Sequence, residues 1–205
     1  MATMSIGTPI PNILTPQPDI AYASFSEEIS EQSAGRFIHW LDLLSLDRTP
    51  RHNGIHILFN SSGGMITDAI NMRNYVRGYP PDMPITMFNT GGVQSAAVLV
   101  FVSAAHRVIA PHAKFMLHPA IWKAPGGLNT EQLRYVSRSL SKGDKDIDDI
   151  LKERVNMPNA KWIQARRTQL DISAQEAIDY GFADEIGNWS VPDGKSIFTI
   201  MSPAK

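Results

Sequence analysis

Ser95 and His118 are the two residues of this chain best placed to do chemistry together. Ser95 follows the glycine pair Gly91-Gly92, which itself follows the apolar run Ile85-Thr86-Met87-Phe88. It opens a stretch of small and apolar residues that reads as a helix reaching Ala105. A helix start carries unpaired N–H groups and partial positive charge, so the amide of Ala96 is placed to stabilise an oxyanion beside the Ser95 hydroxyl. One such donor contributes about 3–4 kcal/mol in a transition state. His118 ends the apolar strand Lys114-Phe115-Met116-Leu117 and is followed by Pro119. None of His39, His52, His56, His106 and His112 leaves a strand for a turn in that way. A hydroxyl and an imidazole together suit acyl transfer: the base accepts the serine proton and returns it to the leaving amine. Taken alone, the plainer role for Ser95 is a helix N-cap, and a lone histidine is more often solvated or hydrogen-bonded than a base.

The elements that must position these residues repeat. A strand, a glycine turn and a helix occur around Gly91-Gly92, and again in Gly54-Ile55-His56-Ile57-Leu58-Phe59-Asn60, Ser61-Ser62-Gly63-Gly64 and the helix after it. Gly91 and Gly92 are expected to supply a sharp reversal with backbone angles that side chains forbid. Met65, Ala69, Met72 and Val76 recur at helical spacing and mark a buried face. Such repetition points to an α/β fold with parallel strands feeding helices and loops gathered on one side.

Before the repeats, residues 1–20 carry Pro9, Pro11, Pro16 and Pro18 and read as a flexible arm. Tyr22 to Ile29 reads as a short strand or turn, and Ser30 as a candidate cap of a helix with the face Phe37, Trp40, Leu41 and Leu44. Asp47 to Asn53 breaks that helix. Beyond Ala105 the chain returns through Val108-Ile109-Ala110. After His118, a helix is expected from Thr130, with a second stretch from the Gly143 interruption to Pro158. Together they form an arm whose exposed apolar surface suits contact with another subunit. Ser173 and Glu176 form a capping box for a helix through Tyr180, stopped by Gly181, and Ile197 to Met201 reads as an edge strand in a polar tail.

At 205 residues the chain suits one domain, here 21–187, with the arm before it and the tail 188–205 after it. A net charge of -1 offers no electrostatic reason for a nucleic-acid or anionic-membrane partner. Without cysteine there are no disulfides, thiolate metal sites or cysteine nucleophiles, which fits a reducing compartment. The start lacks a secretory signal pattern, and the longest apolar run, Ala96 to Ala105, is too short to span a bilayer, so a cytoplasmic protein is expected. The Walker lysine and the dinucleotide spacing are absent, and no cofactor or metal is expected.

Four stretches, in order, resemble the proteolytic subunit of the Clp protease, a serine peptidase. They are Asn60-Ser61-Ser62-Gly63-Gly64, Val93-Gln94-Ser95-Ala96-Ala97, Phe115-Met116-Leu117-His118-Pro119 with Arg107 ahead of it, and Ser173 to Ala177 with Tyr180-Gly181-Phe182-Ala183-Asp184. The resemblance spans roughly Phe25 to Ile186. It implies the Clp/crotonase-type α/β fold of repeated strand-strand-helix units, with a protruding helical arm at about 128–157. It also implies Ser95 as nucleophile, His118 as general base and the amides of Gly64 and Ala96 as the oxyanion hole. Seven-membered rings stacked in a tetradecamer would enclose a chamber for unfolded polypeptides, fed by an AAA+ unfoldase ATPase. Residues 1–20 do not match the family's axial segment.

The third member of the triad departs from the family. Gln169 stands where the family has its aspartate, and Asp171 lies two residues on, on the same side if the stretch is extended. Losing the orienting carboxylate costs about 10⁴-fold in turnover. The acid is therefore either Asp171 or absent. Two other readings stand beside the peptidase: a non-catalytic ring subunit, and a crotonase-like acyl-CoA enzyme, whose family has a segment that Ala104 to Ala110 also resembles.

Overall fold

The structure is a computed structural model that describes residues 19–46, 52–122 and 126–201. The chain runs β1 (Ile20–Ser26), α1 (Glu31–Leu46), β2 (Gly54–Asn60), α2 (Ile66–Gly78), β3 (Ile85–Asn89), β4 (Gly92–Gln94), α3 (Ala97–Phe101), β5 (His106–Ile109) and β6 (Lys114–Leu117). It continues with α4 (Thr130–Leu151), α5 (Asn159–Arg167), β7 (Leu170–Ile172), α6 (Ala174–Tyr180), β8 (Glu185–Ile186) and β9 (Ile197–Ile200). The expected arm at 1–20 lies almost wholly outside the described residues.

A six-stranded sheet in the order β8-β5-β3-β2-β1-β9 is parallel throughout, and a second sheet, β4-β6-β7, stands beside it. The bridge Ser61↔Val93 couples the two. Parallel strands need crossovers, and α1 and α2 supply them between β1, β2 and β3. Phe25, Phe37 and Phe59 are fully buried, with the Phe25 and Phe59 rings stacked 5.1 Å apart, so α1 is packed on the sheet by its aromatic face. α3 is buried at every position. It therefore holds the chain after Ser95 rigidly in the core.

Several local expectations held for physical reasons that the structure makes visible. Ser173 accepts from the Glu176 amide while Glu176 accepts from the Ser173 amide, and Gly181 ends α6 at φ 81°. β9 is the edge strand of the large sheet, stacking Phe198 on Trp40.

Others are corrected. α3 stops at Phe101 rather than Ala105, because Ser103 and Ala104 donate to Val100 and Phe101 in tighter three-residue turns. Gly143 does not interrupt a helix: α4 is one helix of 22 residues, and a Cβ on Gly143 would lie 2.9 Å from Ile66 Cδ1. The glycine marks close packing of α4 against α2. Pro158, expected as a stop, is the N-cap of α5, where its missing N–H costs nothing. Met65, expected in the buried face of α2, is the exposed N-cap of that helix. α4 presents exposed Leu133 and Tyr135, as expected of an arm.

Candidate active site

The backbone at Ser95 is held in an unusual conformation. Its φ is 52°, and Ser95 is the non-glycine residue with positive φ among the described residues. Its amide donates to Met116 O at 2.7 Å, which extends the β4–β6 ladder by one bond, and its carbonyl accepts from Val98 N at 3.1 Å to open α3. The chain thus passes from strand to helix with no intervening loop, and Ser95 occupies the bend. A left-handed serine costs about 1–2 kcal/mol relative to its ordinary conformations.

The loop after β2 closes on this bend. Gly63 has φ 95°, and a Cβ there would lie 2.7 Å from Ser95 Cβ. Gly64 has φ 145°, and a Cβ there would lie 2.0 Å from Ile29 O. Ile29 N donates to Gly63 O at 2.7 Å and Met65 N donates to Ile29 O at 3.0 Å, which pins the loop. Among the described residues, neither the Gly64 nor the Ala96 amide donates to a protein acceptor. The expectation that Gly91 and Gly92 supply the special backbone angles is corrected: neither has positive φ, and Gly92 begins β4. The bend they were read to serve is carried by Ser95 itself.

His118 leaves β6 with its Nδ1 2.6 Å from Pro119 O. A carbonyl can only accept, so Nδ1 is the donor and Nε2 keeps the lone pair, the form a general base needs. Ser95, His118 and Gly64 line one cavity of about 380 Å³, together with Met65, Ile66 and Trp122. Among the described residues no hydrogen bond joins the Ser95 hydroxyl to His118. Such contacts often tighten only when substrate is bound.

Asp171 lies on β7, antiparallel to β6. The pairs Met116↔Asp171 and Leu117↔Leu170 are in register, and the pairing ends there, with His118 the next residue after β6 and Gln169 the residue before β7. Asp171 and Gln169 do share a face, since Leu170 and Ile172 are buried between and beside them. The Asp171 carboxylate accepts from Lys114 Nζ at 3.0 Å and from Gln169 Nε2 at 3.0 Å. Those two bonds, Lys114 first, hold its pKa below the ordinary carboxylate value. Its partners are thus Lys114 and Gln169 rather than the imidazole.

Arg107 is buried and joins two of the stretches that suggested the family. Its Nε and its backbone amide donate to Asp184 Oδ2 at 3.0 and 2.9 Å, its Nη2 pairs with Oδ1, and its Nη1 donates to Gly181 O at 2.7 Å. Burial pushes the Asp184 carboxyl up, but the Arg107 bonds and charge outweigh it and leave the pKa lowered. This pair ties β5 to the end of α6. Asp144 on α4 escaped notice in the sequence; its Oδ1 accepts from Ala120 N at 2.7 Å, next to His118 in the chain. The one available signal was its helical spacing from Asp148. Among the described residues no group of three or more His, Cys, Asp or Glu could hold a metal ion, and no helix is long and apolar enough to cross a membrane.

Comparison with known proteins identifies the family and the fold. The family model described as Clp protease matches residues 19–189. The ATP-dependent Clp protease proteolytic subunits of Streptococcus salivarius and Streptococcus thermophilus are each 23% identical over 145 residues, covering 70% of this chain and 74% of theirs. A solved structure of a ClpP1 variant from Listeria monocytogenes superposes with a TM-score of 0.65 at 21% identity, covering 80% of this chain and 90% of that one, and shows the shared fold. From residue 19 to residue 189, then, the chain belongs to the Clp protease family, as a divergent member.

Proposed function

We propose that this chain is a serine endopeptidase, a proteolytic subunit that cleaves unfolded polypeptides in an oligomeric chamber. The observation that carries the reading is the strained bend at Ser95. It turns the hydroxyl into a cavity shared with His118, beside two amides, of Gly64 and Ala96, that no protein acceptor uses. Ser95 attacks the scissile carbonyl, His118 Nε2 takes the hydroxyl proton, and the Gly64 and Ala96 amides receive the oxyanion. His118 then protonates the leaving amine, and water resolves the acyl-enzyme by the same route. Asp171 contributes indirectly, by holding Gln169 at the end of the β6–β7 ladder that His118 leaves.

In the assembly, α4 meets another subunit. Exposed Leu133 and Tyr135, and an apolar cavity of about 600 Å³ lined by Trp122, Leu128, Tyr135 and Leu140, support that role. Heptameric rings stacked as a tetradecamer, an AAA+ unfoldase feeding them, and a cytoplasmic location complete the proposal. It draws the ATP dependence from the description of the streptococcal relatives. Hydrolysis of a fluorogenic peptide by the assembled protein tests the reading: Ser95→Ala and His118→Ala should abolish it while light scattering shows an unchanged particle.

The second reading is an inert ring subunit. It is favoured by Gln169 at the position of the family's aspartate and by the lack, among the described residues, of a hydrogen bond between Ser95 and His118, whose Nδ1 lies against Pro119 O. It predicts normal assembly and no turnover. Family membership favours both readings over the crotonase-like acyl-CoA enzyme.

A further inference from the structure

The strand beside His118 lacks a carboxylate directed at the imidazole, but one reaches it from α4. The carbonyl of the Pro119–Ala120 peptide accepts from His118 Nδ1 at 2.6 Å, and the N–H of the same peptide donates to Asp144 Oδ1 at 2.7 Å. A peptide unit is planar and conjugated, so a negative charge on its N–H side polarises its carbonyl and strengthens it as an acceptor. Asp144 is itself held in place. Arg166 Nη1 donates to it at 3.1 Å, while Arg166 Nε donates to Asp148 Oδ2 at 2.9 Å and Nη2 pairs with Asp148 Oδ1. The three side chains are only 17–21% exposed. Arg166 thus fixes the same Asp144 oxygen that accepts from the peptide.

We propose that Asp144 is the positioning acid of this site. It acts on His118 through the Pro119–Ala120 peptide, holding the proton on Nδ1 and stabilising the imidazolium that forms when Ser95 is deprotonated. That is the task of the absent aspartate, done through one intervening amide and from a different element. The inference rests on the reading of Ser95 and His118 as nucleophile and base. Asp171, engaged by Lys114 and Gln169, is not required for it. A merely structural Asp144 would only anchor the loop after β6, a role that asparagine also fills because its side-chain carbonyl accepts the same N–H.

The test compares Asp144→Asn, Asp144→Ala and Asp149→Asn in the assembled protein, using the rate of Ser95 labelling by a fluorophosphonate and the nitrogen-15 magic-angle-spinning spectrum of His118 in sedimented particles. His118→Gln assigns the signal. The wild type should show Nδ1 protonated at a pH where the ring is neutral. In Asp144→Ala the proton should move largely to Nε2. Labelling should fall about tenfold in Asp144→Asn and further in Asp144→Ala, well short of the about 10⁴-fold cost of a directly bonded triad acid. Asp149→Asn, at an exposed α4 carboxylate paired with Lys145, should leave both readouts unchanged. An unchanged tautomer and unchanged labelling in Asp144→Asn and Asp144→Ala would overturn the proposal, as would Nε2 protonation in the wild type. If the wild type is not labelled at all, the peptidase reading fails, while the tautomer comparison still decides the role of Asp144.

Discussion

Replacing Ser95 by glycine should make the protein more stable than replacing it by alanine, although both variants lose the nucleophile. Ser95 has φ 52°, a region in which a Cβ costs about 1–2 kcal/mol. Alanine keeps that cost and glycine removes it. Glycine carries an opposing penalty of about 0.4–1 kcal/mol, because its unfolded chain is freer. The balance favours Ser95→Gly by about 1 kcal/mol, or roughly 2–4 °C in Tm for a chain of this length. Urea unfolding of the two variants, at matched concentration and matched particle size, reads the difference. If Ser95→Ala proves as stable as Ser95→Gly or more so, the bend is not strained. Strain at Ser95 then plays no part in aiming its hydroxyl at the cavity.

Gly64→Ala should lower fluorophosphonate labelling about 10²–10³-fold, since a Cβ 2.0 Å from Ile29 O forces the loop and its amide out of place; labelling within threefold of wild type would contradict the role of that amide. Asp171→Ala should change stability by less than about 1 kcal/mol, because Lys114 and Asp171 are about half exposed, and should slow labelling less than tenfold. Asp184→Asn should cost about 2 kcal/mol at neutral pH, less than a fully buried pair, as Asp184 is a third exposed. The Asp184 pKa is lowered from 3.8, so its contribution is present above that value and is lost as pH falls through the lower folded value. The difference between wild type and Asp184→Asn should therefore shrink below about pH 4, as urea midpoints measured across pH would show.

Where local chemistry alone decides an element, the sequence was enough to read it. The β2 strand, the Gly63-Gly64 turn and the α6 capping box are each built from residues within a few positions of one another. Misreadings arose where a distant partner decides. Gly143 looks like a helix breaker until Ile66 is seen packed against it, and Gly91-Gly92 look like the reversal until the β4–β6 ladder passes the strain to Ser95. α5 was missed because Pro158 stops a helix and starts one with equal ease. At the candidate site, Ser95, His118 and Ala96 were legible through strand, turn and helix-start patterns, and Gly64 through the family resemblance. Asp144 was not: its bond to Ala120 joins residues 24 apart in sequence, and its helical spacing from Asp148 points to neither Ala120 nor His118.

The central claim is that Ser95 is an activated nucleophile. Intact mass after incubation with a fluorophosphonate, on particles shown by light scattering to be assembled, tests it most directly. The account predicts a single adduct per chain that disappears in Ser95→Ala. An assembled wild type that gains no adduct would contradict it and leave the inert ring subunit as the better description of this chain.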